Sequence, residues 1–457
     1  MNQLALESAA QIGGAYIQVV AVGSWLIASR IGGLQVLTDS GALNCVSECA
    51  LIEIPLLEVE GDKLYAVFRR RTFLVSIDLM GQLVFSQSER REYKPPRGHD
   101  CRVDISRGKI LLDREEGAVV TPFGTVKLPG YSRPSGICVS SDGGRIYVAD
   151  MGVIHRLKLQ GDSYILTGSM ENPGWPKDVA CAGGDVFVAN VLGVAWYREL
   201  ADYPFIELKD RLCRFHFRIA KVTVRNSIVY ACDEARGVHA FAMVEGKLKP
   251  LGGVFVPGGG WDCAFDGEAG YVASGSGGWR YYENLEDAVR GRKVNVRHYA
   301  SVGGERVQGV APWPDAKAVV AMSDRRVRIV SKQDGHELFT ADCNAWSGVS
   351  LGDLFVVATT KGLMTLCLKG VSVVVLGVER TEEARDVSWD GFHLWVADGK
   401  GGVRCYQRAD AKVGLAYVGC FPVCGFSRGL CRTESRVYVG AGDGGLSVIS
   451  SEGGRKL

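Results

Sequence analysis

Acidic and amide side chains recur directly after short apolar segments of this sequence, where they could act as metal ligands. The set is Asp113, Asp150, Asn190, Asp233 and Asp398. Several such oxygens bind a hard cation such as calcium when they converge on one point. Because these residues repeat at one position of a recurring turn, we expect them to accept hydrogen bonds from the backbone of that turn. The sequence therefore predicts no metal ligands and no cofactor.

A second set of charged residues precedes or begins another recurring strand. These residues are Lys177, Asp178, Lys221, Asp262, Arg385, Asp386 and Arg428. If the strands line a common opening, the side chains form a mixed-charge funnel that binds a small polar ligand. The alternative is that the aspartates accept hydrogen bonds from neighbouring backbone N–H groups and pair with adjacent cations. We favour this structural role.

Basic residues interleaved with aromatic residues are candidates for binding a macromolecule. The candidates are Arg69, Arg70, Arg71, Arg90, Arg91, Arg97, Arg211, Arg214 and Arg218, together with Trp279, Arg280 and Tyr281. Arginine binds phosphate and carboxylate groups bidentately and exposed aromatic rings stack on bases. Trp, Tyr and Arg are also enriched at protein-binding hot spots. With 53 basic and 51 acidic residues, the net charge of +2 gives no long-range attraction for nucleic acid. A protein partner is therefore favoured over RNA, and a solvated arginine-rich edge is the alternative for the basic clusters.

Catalytic motifs are sparse. The seven histidines occupy unrelated positions of the repeat, and only His99 lies beside an acid, Asp100. The sequence contains no G-x-S-x-G motif, phosphate-binding loop or dinucleotide fingerprint. These observations favour a protein that is not an enzyme.

A repeated unit positions the residues named above, and residues 384–420 show it most clearly. A first strand is followed by a second, Leu394 to Ala397, which ends at Asp398. A third strand starts at Val403 and a fourth covers Leu415 to Cys420. Short runs of β-branched and aromatic residues between turn residues predict β-strands.

About eleven such units follow one another at a spacing close to 40 residues, the length of one four-stranded β-propeller blade. They begin near Tyr16, Pro55, Cys101, Gly136, Asp178, Ala220, Asp262, Gly309, Gly348, Asp386 and Gly429. Glycine before most third strands allows the positive φ that a tight hairpin requires. One such sheet cannot bury both of its faces, so the units must stack, and a ring leaves few exposed edges. The sequence predicts an all-β fold, a β-propeller of about eleven four-stranded blades.

The units at 134–168 and 384–420 resemble the repeats of the LVIVD and NHL-like propeller families. The shared order runs from Asp-Val through a Gly turn, a Tyr-Val-Ala-Asp strand and a Gly pair to a final strand ending in Val-Gly. The resemblance covers most of the chain. Because turn and core residues carry it, it implies a fold and no chemistry.

The number of units predicts more than one ring, since rings of more than eight blades are uncommon. The long connection at 201–218 suggests an amino-terminal propeller of about five blades, residues 1–217, and a carboxy-terminal propeller of about six, residues 218–457. One oversized ring is the alternative. The last unit ends one strand short, and we expect residues 4–10 to supply that strand.

The amino-terminal residues lack a basic start followed by an apolar stretch, and no apolar run reaches the roughly 18 residues of a membrane-spanning helix. We therefore expect a cytoplasmic protein without a membrane partner. In that compartment most of the 14 cysteines are expected to be small buried hydrophobes. A disulfide among Cys420, Cys424 and Cys431 is expected only in a hyperthermophile.

The function that the sequence favours is a non-enzymatic scaffold that binds another macromolecule, with protein preferred. The first alternative is a metal-dependent enzyme of the lactonase or hydrolase type. The second is a protein that binds RNA or a ribonucleoprotein through the basic clusters.

Overall fold

The computed structural model describes residues 7–450 apart from a series of short segments. The segments outside the description are residues 13–15, 23–24, 31–32, 40–42, 51–55, 61–62, 69, 79–81, 90, 92–101, 106–107, 114–115, 130–135, 140–143, 151–152, 172–175, 191–192, 201–205, 214–217, 370–371, 410–413, 424 and 434–435. Most of the described chain is β-strand, and only one short α-helix is present among the described residues, as expected for an all-β fold.

The strands of residues 7–171 are, in chain order, β1 (Glu7–Ile12), β2 (Tyr16–Val22), β3 (Trp25–Arg30), β4 (Gly33–Asp39), β5 (Leu43–Ala50), β6 (Leu56–Glu60), β7 (Lys63–Val67), β8 (Thr72–Ile77), β9 (Leu83–Ser88), β10 (Arg102–Ile105), β11 (Gly108–Asp113), β12 (Ala118–Thr121), β13 (Gly124–Lys127), β14 (Gly136–Val139), β15 (Arg145–Asp150), β16 (Val153–Gln160) and β17 (Ser163–Glu171).

The strands of residues 176–450 are β18 (Pro176–Ala182), β19 (Asp185–Asn190), β20 (Gly193–Glu199), β21 (Ile206–Cys213), β22 (Ile219–Arg225), β23 (Ile228–Asp233), β24 (Gly237–Val244), β25 (Lys247–Phe255), β26 (Asp262–Asp266), β27 (Ala269–Ala273), β28 (Trp279–Tyr282), β29 (Val296–Tyr299), β30 (Val307–Trp313), β31 (Ala318–Ser323), β32 (Arg326–Ser331), β33 (Glu337–Asp342), β34 (Ala345–Leu351), β35 (Leu354–Thr359), β36 (Gly362–Lys369), β37 (Ser372–Glu379), β38 (Asp386–Trp389), β39 (His393–Ala397), β40 (Val403–Arg408), β41 (Leu415–Phe421), β42 (Gly429–Arg432), β43 (Arg436–Gly440) and β44 (Leu446–Ser450). A short helix, α1 (Leu285–Val289), lies between β28 and β29, and one 3-10 turn covers Gly442–Gly444.

The strands form eleven four-stranded antiparallel sheets. Sheets 1 to 10 are the consecutive groups of four from β2–β5 to β38–β41, with the strands of each sheet in chain order. Sheet 11 joins β42, β43 and β44 to β1. The prediction of a repeat of four-stranded units is confirmed, and the architecture is β-propeller-like. The amino-terminal strand in sheet 11 starts at Glu7 and pairs with β44, which is the place expected for residues 4–10.

Burial follows the position of a strand within its sheet. The second strands β19, β23, β31 and β35 are buried at every residue, whereas the fourth strand β37 is mostly exposed. A strand buried on both sides reads as a continuous apolar run, because neighbouring sheets cover both of its faces. Clusters of buried residues accordingly join consecutive sheets, as Phe187 and Val229 join sheets 5 and 6.

Contacts divide the chain into two compact units. The seven-sheet unit comprises residues 176–442 with 1–10 and 447–457, and the four-sheet unit comprises residues 11–175 with 443–446. The sequence-based division at 217/218 lies between β21 and β22, inside the seven-sheet unit.

In the seven-sheet unit the first strands follow one another in contact. Strand β18 contacts β22, and the series continues through β26, β30, β34 and β38 to β42. Strand β42 in turn contacts β18.

Cys181 in β18 and Cys431 in β42 form a disulfide, with their Cα atoms 5.9 Å apart. This corrects the expected pairing among Cys420, Cys424 and Cys431. Cys420 is a free, exposed cysteine, and Cys424 lies outside the described residues. The bonded partners are 250 residues apart, so only the return of β42 to β18 brings them together.

Helix α1 falls where the sequence departs from the strand pattern. The Asn284 side chain caps the helix by accepting a hydrogen bond from the Asp287 N–H at 2.9 Å. Leu285 and Val289 are buried against sheets 6 and 7. This helix interrupts the otherwise regular succession of strands between β28 and β29. Among the described residues, no helix is long and apolar enough to span a membrane.

Candidate binding site at the first strands of the seven-sheet unit

The first strands of the seven-sheet unit share one pairing position, which we call the inner position. Each inner residue pairs with the last or the second-to-last residue of the second strand of its own sheet. The inner residues are Asp178, Lys221, Asp262, Gly309, Ser347, Asp386 and Gly429. Three carboxylates and one ammonium group are therefore placed at the same level of sheets 5, 6, 7 and 10.

The three inner aspartates each bond to the backbone of the next sheet. Asp178 Oδ2 accepts from the Val222 N–H at 2.9 Å, Asp262 Oδ2 from the Val310 N–H at 3.0 Å, and Asp386 Oδ2 from the Leu430 N–H at 3.0 Å. All three aspartates are buried. This is the structural role that the sequence favours for them, since buried carboxylates need hydrogen-bond donors.

Lys221 lies among these carboxylates. Its Nζ is 3.1 Å from Asp386 Oδ1 and 4.0 Å from Asp178 Oδ1. Burial by itself lowers the pKa of Lys221, but the carboxylates of Asp386, Asp178 and Asp262 outweigh burial and raise this pKa well above its usual value. The lysine is thus held as the cation that neutralises the site.

For Asp178 and Asp262, the effect of burial on the pKa outweighs the opposing effect of Lys221. Burial raises the pKa of Asp178 to about 7, against the effect of Lys221 and with a further increase from Asp386. Burial also raises the pKa of Asp262. Three carboxylates share one lysine here, so the site favours a proton on one of them near neutral pH.

A cavity of about 470 Å³ extends from the inner position along the first strands. The four charged inner residues line it together with Pro312, Ser350 and Trp389. Among the described residues, no group of three or more His, Cys, Asp or Glu side chains is arranged to hold a metal ion.

The turn-position acids that could resemble metal ligands instead bond to the backbone. Asp113 accepts from the Glu116 N–H, Asn190 from the Gly193 N–H and Asp233 from the Ala235 N–H, at 2.8–2.9 Å. The predicted role in the turn is confirmed for these three side chains. Asp398 accepts instead from the N–H groups of Glu382 and Glu383, and the Asp150 side chain lies outside the described residues.

The residues directly before the inner position carry the other predicted cations. Lys177 pairs with Glu234 at 2.5 Å, and Arg385 pairs with Glu383. The Arg385 guanidinium lies over the Trp346 ring, 3.9 Å from its centroid, and 5.3 Å from the Phe426 ring. The Arg428 guanidinium is also 5.3 Å from the Phe426 ring. Trp346, Arg385, Phe426 and Arg428 form what we call the arginine–aromatic cluster, and all four are half-buried.

Buried Asp398 fixes the segment that carries Glu383. The Asp398 carboxylate accepts from the Glu382 N–H at 3.1 Å and from the Glu383 N–H at 2.7 Å, and also pairs with Arg404. Glu383 is therefore held in position to orient the guanidinium of Arg385. Burial lowers the pKa of Arg385, Glu383 opposes that effect and the nearby Arg428 reinforces it.

Several buried polar atoms around this cluster have no hydrogen-bond partner among the described residues. They are Nε of Arg385, Nε of Arg428, Nε1 of Trp346, Oγ1 of Thr381 and Oδ1 of Asn344. Trp346 belongs to sheet 9, and the other residues belong to the connections that lead into sheets 9, 10 and 11. Asn344 Oδ1 is an acceptor, whereas the two Nε–H groups and the indole N–H are donors. A buried donor without an acceptor is destabilising, so these three donors could accommodate an acceptor group from a ligand.

The predicted basic clusters contain both paired and exposed arginines. Arg91 pairs with Glu58 at 3.3 Å and Glu60 at 2.5 Å and lies over Tyr65 at 3.5 Å. The exposed members that the structure describes are Arg70, Arg71, Arg211 and Arg218. The members outside the described residues are Arg69, Arg90, Arg97 and Arg214.

The predicted aromatic surface around Trp279 is mainly core. Trp279 is 2% exposed and stacks on Tyr299, with the ring centroids 3.8 Å apart. Arg280 and Tyr281 are half-buried. The Trp279 side chain is buried because sheet 8 covers the face of sheet 7 on which it lies. Trp279 belongs to one buried cluster with Val319 and Ala321 of sheet 8.

Sequence reasoning identified Arg385 and Arg428 but missed Trp346 and Phe426. Trp346 occupies a bulge between Ala345 and Ser347 in the pairing of β34 with β35, which breaks the strand alternation used to assign faces. Phe426 lies three residues before β42, in a segment without a repeated pattern. Trp346, Arg385 and Arg428 each lie one residue before an inner residue of their sheet. This shared position in the repeat is the sequence signal that identifies Trp346 as part of the site.

No model of a known protein family matches the sequence, and no curated protein matches it. Among solved structures, the chain is similar to the computationally designed Ika8 protein, at 12% identity and a TM-score of 0.43. The match covers 71% of this chain and 98% of that one. A similarity at this level supports no conclusion about family or activity.

Proposed function

We propose that this chain is a non-enzymatic β-propeller scaffold that binds another protein, and that its seven-sheet unit is a closed ring of seven blades. The ring is supported by the order of contacts, in which each first strand contacts the next and β42 contacts β18. Buried clusters link each pair of consecutive sheets from 5 to 11. The Cys181–Cys431 disulfide joins the first and last of these sheets.

The four-sheet unit is the second ring of this proposal. In this unit β2 contacts β6 on one side and β14 on the other, and β10 contacts β14. Buried residues of sheets 1 and 4 pack in one cluster, with Leu26 and Ala28 against Tyr147 and Ala149. Two rings of unequal size account for eleven repeats without exceeding the usual number of blades in either.

The observation that carries the binding role is the arginine–aromatic cluster. Trp and Arg are the side chains that contribute most to protein-binding hot spots when they are partly desolvated and fixed in position. Arg385 meets both conditions, because it stacks on Trp346 and is paired with Glu383. The cluster therefore presents a rigid, half-buried surface of the kind that anchors a partner side chain.

A protein partner is supported over RNA by the state of the basic residues. Of the predicted basic residues, Arg91 already pairs with the acidic neighbours Glu58 and Glu60. Nucleic-acid binding draws its affinity from cations that are free to neutralise phosphates. Near-zero net charge gives no compensating field.

Affinity purification from the native host tests this function. The tagged chain is compared with Trp346→Ser and with the matched control Trp25→Ser, which alters a half-buried tryptophan of the four-sheet unit. We expect a protein to co-purify with the unaltered chain and the control, to resist nuclease treatment, and to be reduced at least about tenfold by Trp346→Ser. Equal recovery from both variants, or recovery of nuclease-sensitive RNA, would contradict the proposal.

A further inference from the structure

The arginine–aromatic cluster contains two guanidinium groups that share one carboxylate. Arg385 pairs with Glu383, whereas Arg428 has no acidic partner among the described residues. Both guanidinium groups lie 5.3 Å from the same ring, that of Phe426. Two cations held on one ring repel each other in a partly buried setting, and an additional anion relieves that repulsion.

The donors of the cluster are incompletely used. The Nε–H groups of Arg385 and Arg428 and the indole N–H of Trp346 are buried and lack acceptors among the described residues. Stacking on Trp346 leaves the edge of the Arg385 guanidinium, rather than its face, for hydrogen bonding. A guanidinium edge binds the two oxygens of a carboxylate bidentately.

The surrounding charges select a singly charged anion. Lys177 and Arg385 are each balanced by a glutamate, which leaves Arg428 as the excess cation. The buried carboxylates of Asp178 and Asp386 follow one residue after Lys177 and Arg385 in the chain. A doubly charged phosphate would be repelled by these carboxylates more strongly than a carboxylate ligand.

We propose that Arg385, Arg428 and Trp346 form a carboxylate-binding site that takes an aspartate or glutamate side chain, or the terminal carboxylate, of a protein partner. The inference rests on the proposed function and specifies the chemical group that the seven-sheet unit recognises. The binding step involves no covalent change. The carboxylate accepts hydrogen bonds from the two Nε–H groups and the indole N–H.

The test uses the full chain with sodium acetate as the probe, and inorganic phosphate and chloride as comparisons at constant ionic strength. The Nε–H signals of Arg385 and Arg428 are followed by NMR and assigned with Arg385→Lys and Arg428→Lys. We expect acetate to shift both signals with saturation, and phosphate to act at least about tenfold more weakly. The absence of a saturating shift with acetate, or tighter binding of phosphate, would overturn the proposal.

Variants separate the donors from general effects on folding. Arg428→Gln removes the excess charge, Trp346→Phe keeps a ring under Arg385 but removes the indole N–H, and Arg292→Gln is an exposed control. We expect acetate binding to weaken at least about tenfold for Arg428→Gln and less for Trp346→Phe, with unchanged thermal unfolding for the control. Unchanged acetate binding in Arg428→Gln would contradict the site.

The outcome also distinguishes this inference from the function on which it depends. If a protein partner is lost in Trp346→Ser but acetate does not bind, the carboxylate site is wrong and the scaffold stands. If acetate binds but no protein co-purifies, the site stands and the scaffold role fails.

Discussion

At the residue scale, the inner residue Asp178 stabilises the fold through a hydrogen bond, but its charged form is destabilised by burial. Asp178 accepts a backbone hydrogen bond from Val222, yet burial raises its pKa to about 7. A carboxyl whose pKa is higher in the folded than in the unfolded state stabilises the fold while it is protonated. Its contribution is complete below about pH 4 and is lost as the pH rises towards 7.

Asp178→Asn tests this linkage, because an amide oxygen still accepts from Val222 but does not titrate. We expect the fall in the free energy of unfolding between pH 4 and 7 to become shallower, by up to about 1 kcal/mol per pH unit. Denaturant unfolding across this range measures it, with the exposed Asp342→Asn as control. The same pH slope in Asp178→Asn and the parent protein would show that Asp178 is ionised throughout.

Lys221 provides the second residue-scale prediction. Lys221→Met removes the cation that lies 3.1 Å from Asp386 and leaves buried carboxylates without a partner. We expect a loss of about 3–5 kcal/mol in the free energy of unfolding, with partial recovery in the double variant Lys221→Met/Asp386→Asn. Lys249→Met, at an exposed ion pair, is expected to change stability by less than about 0.5 kcal/mol. A loss in Lys221→Met that Asp386→Asn fails to reduce would rule out the electrostatic explanation.

At the element scale, the sequence predicts strands well because turns and core alternation repeat. The second strands, the glycines before third strands and the helical turn at 285–290 were all identifiable from local patterns. Positions that depend on packing between sheets were not identifiable from local patterns. Strand alternation predicts that half of the aromatic residues around Trp279 are core, but it does not identify which ones sheet 8 covers. The Cys181–Cys431 pair depends on a contact between residues 250 apart.

Gly362 tests the turn argument for the hairpin between β35 and β36. Its φ is +130°, and an added Cβ would lie 2.0 Å from the Glu379 carbonyl oxygen. Gly362→Ala is expected to destabilise the protein by about 1–3 kcal/mol in denaturant unfolding. Gly377→Ala, where an added Cβ meets nothing within 4 Å, is the matched control with little expected effect. Equal stability of the two variants would contradict the requirement for glycine at this turn.

At the scale of the whole molecule, the proposed ring requires closure of the seven-sheet unit. Strand β1 supplies the fourth strand of sheet 11, so removing residues 1–10 exposes the backbone edge of β44. We expect the deletion to lower the melting temperature by several degrees and to promote association of the unpaired edge. A melting curve identical to that of the full chain would mean that β1 contributes nothing to closure.

The most direct test of closure is the pairing of Cys181 with Cys431. These residues lie in the first and last sheets of the proposed ring, with Cα atoms 5.9 Å apart. After mild oxidation, digestion without reduction and mass spectrometry should yield one dominant disulfide-linked peptide containing both cysteines. This result is predicted for the folded protein and is expected to disappear when the protein is oxidised in denaturant. Folded protein that links either cysteine to a different partner, or leaves both free after oxidation, would contradict a closed seven-bladed ring.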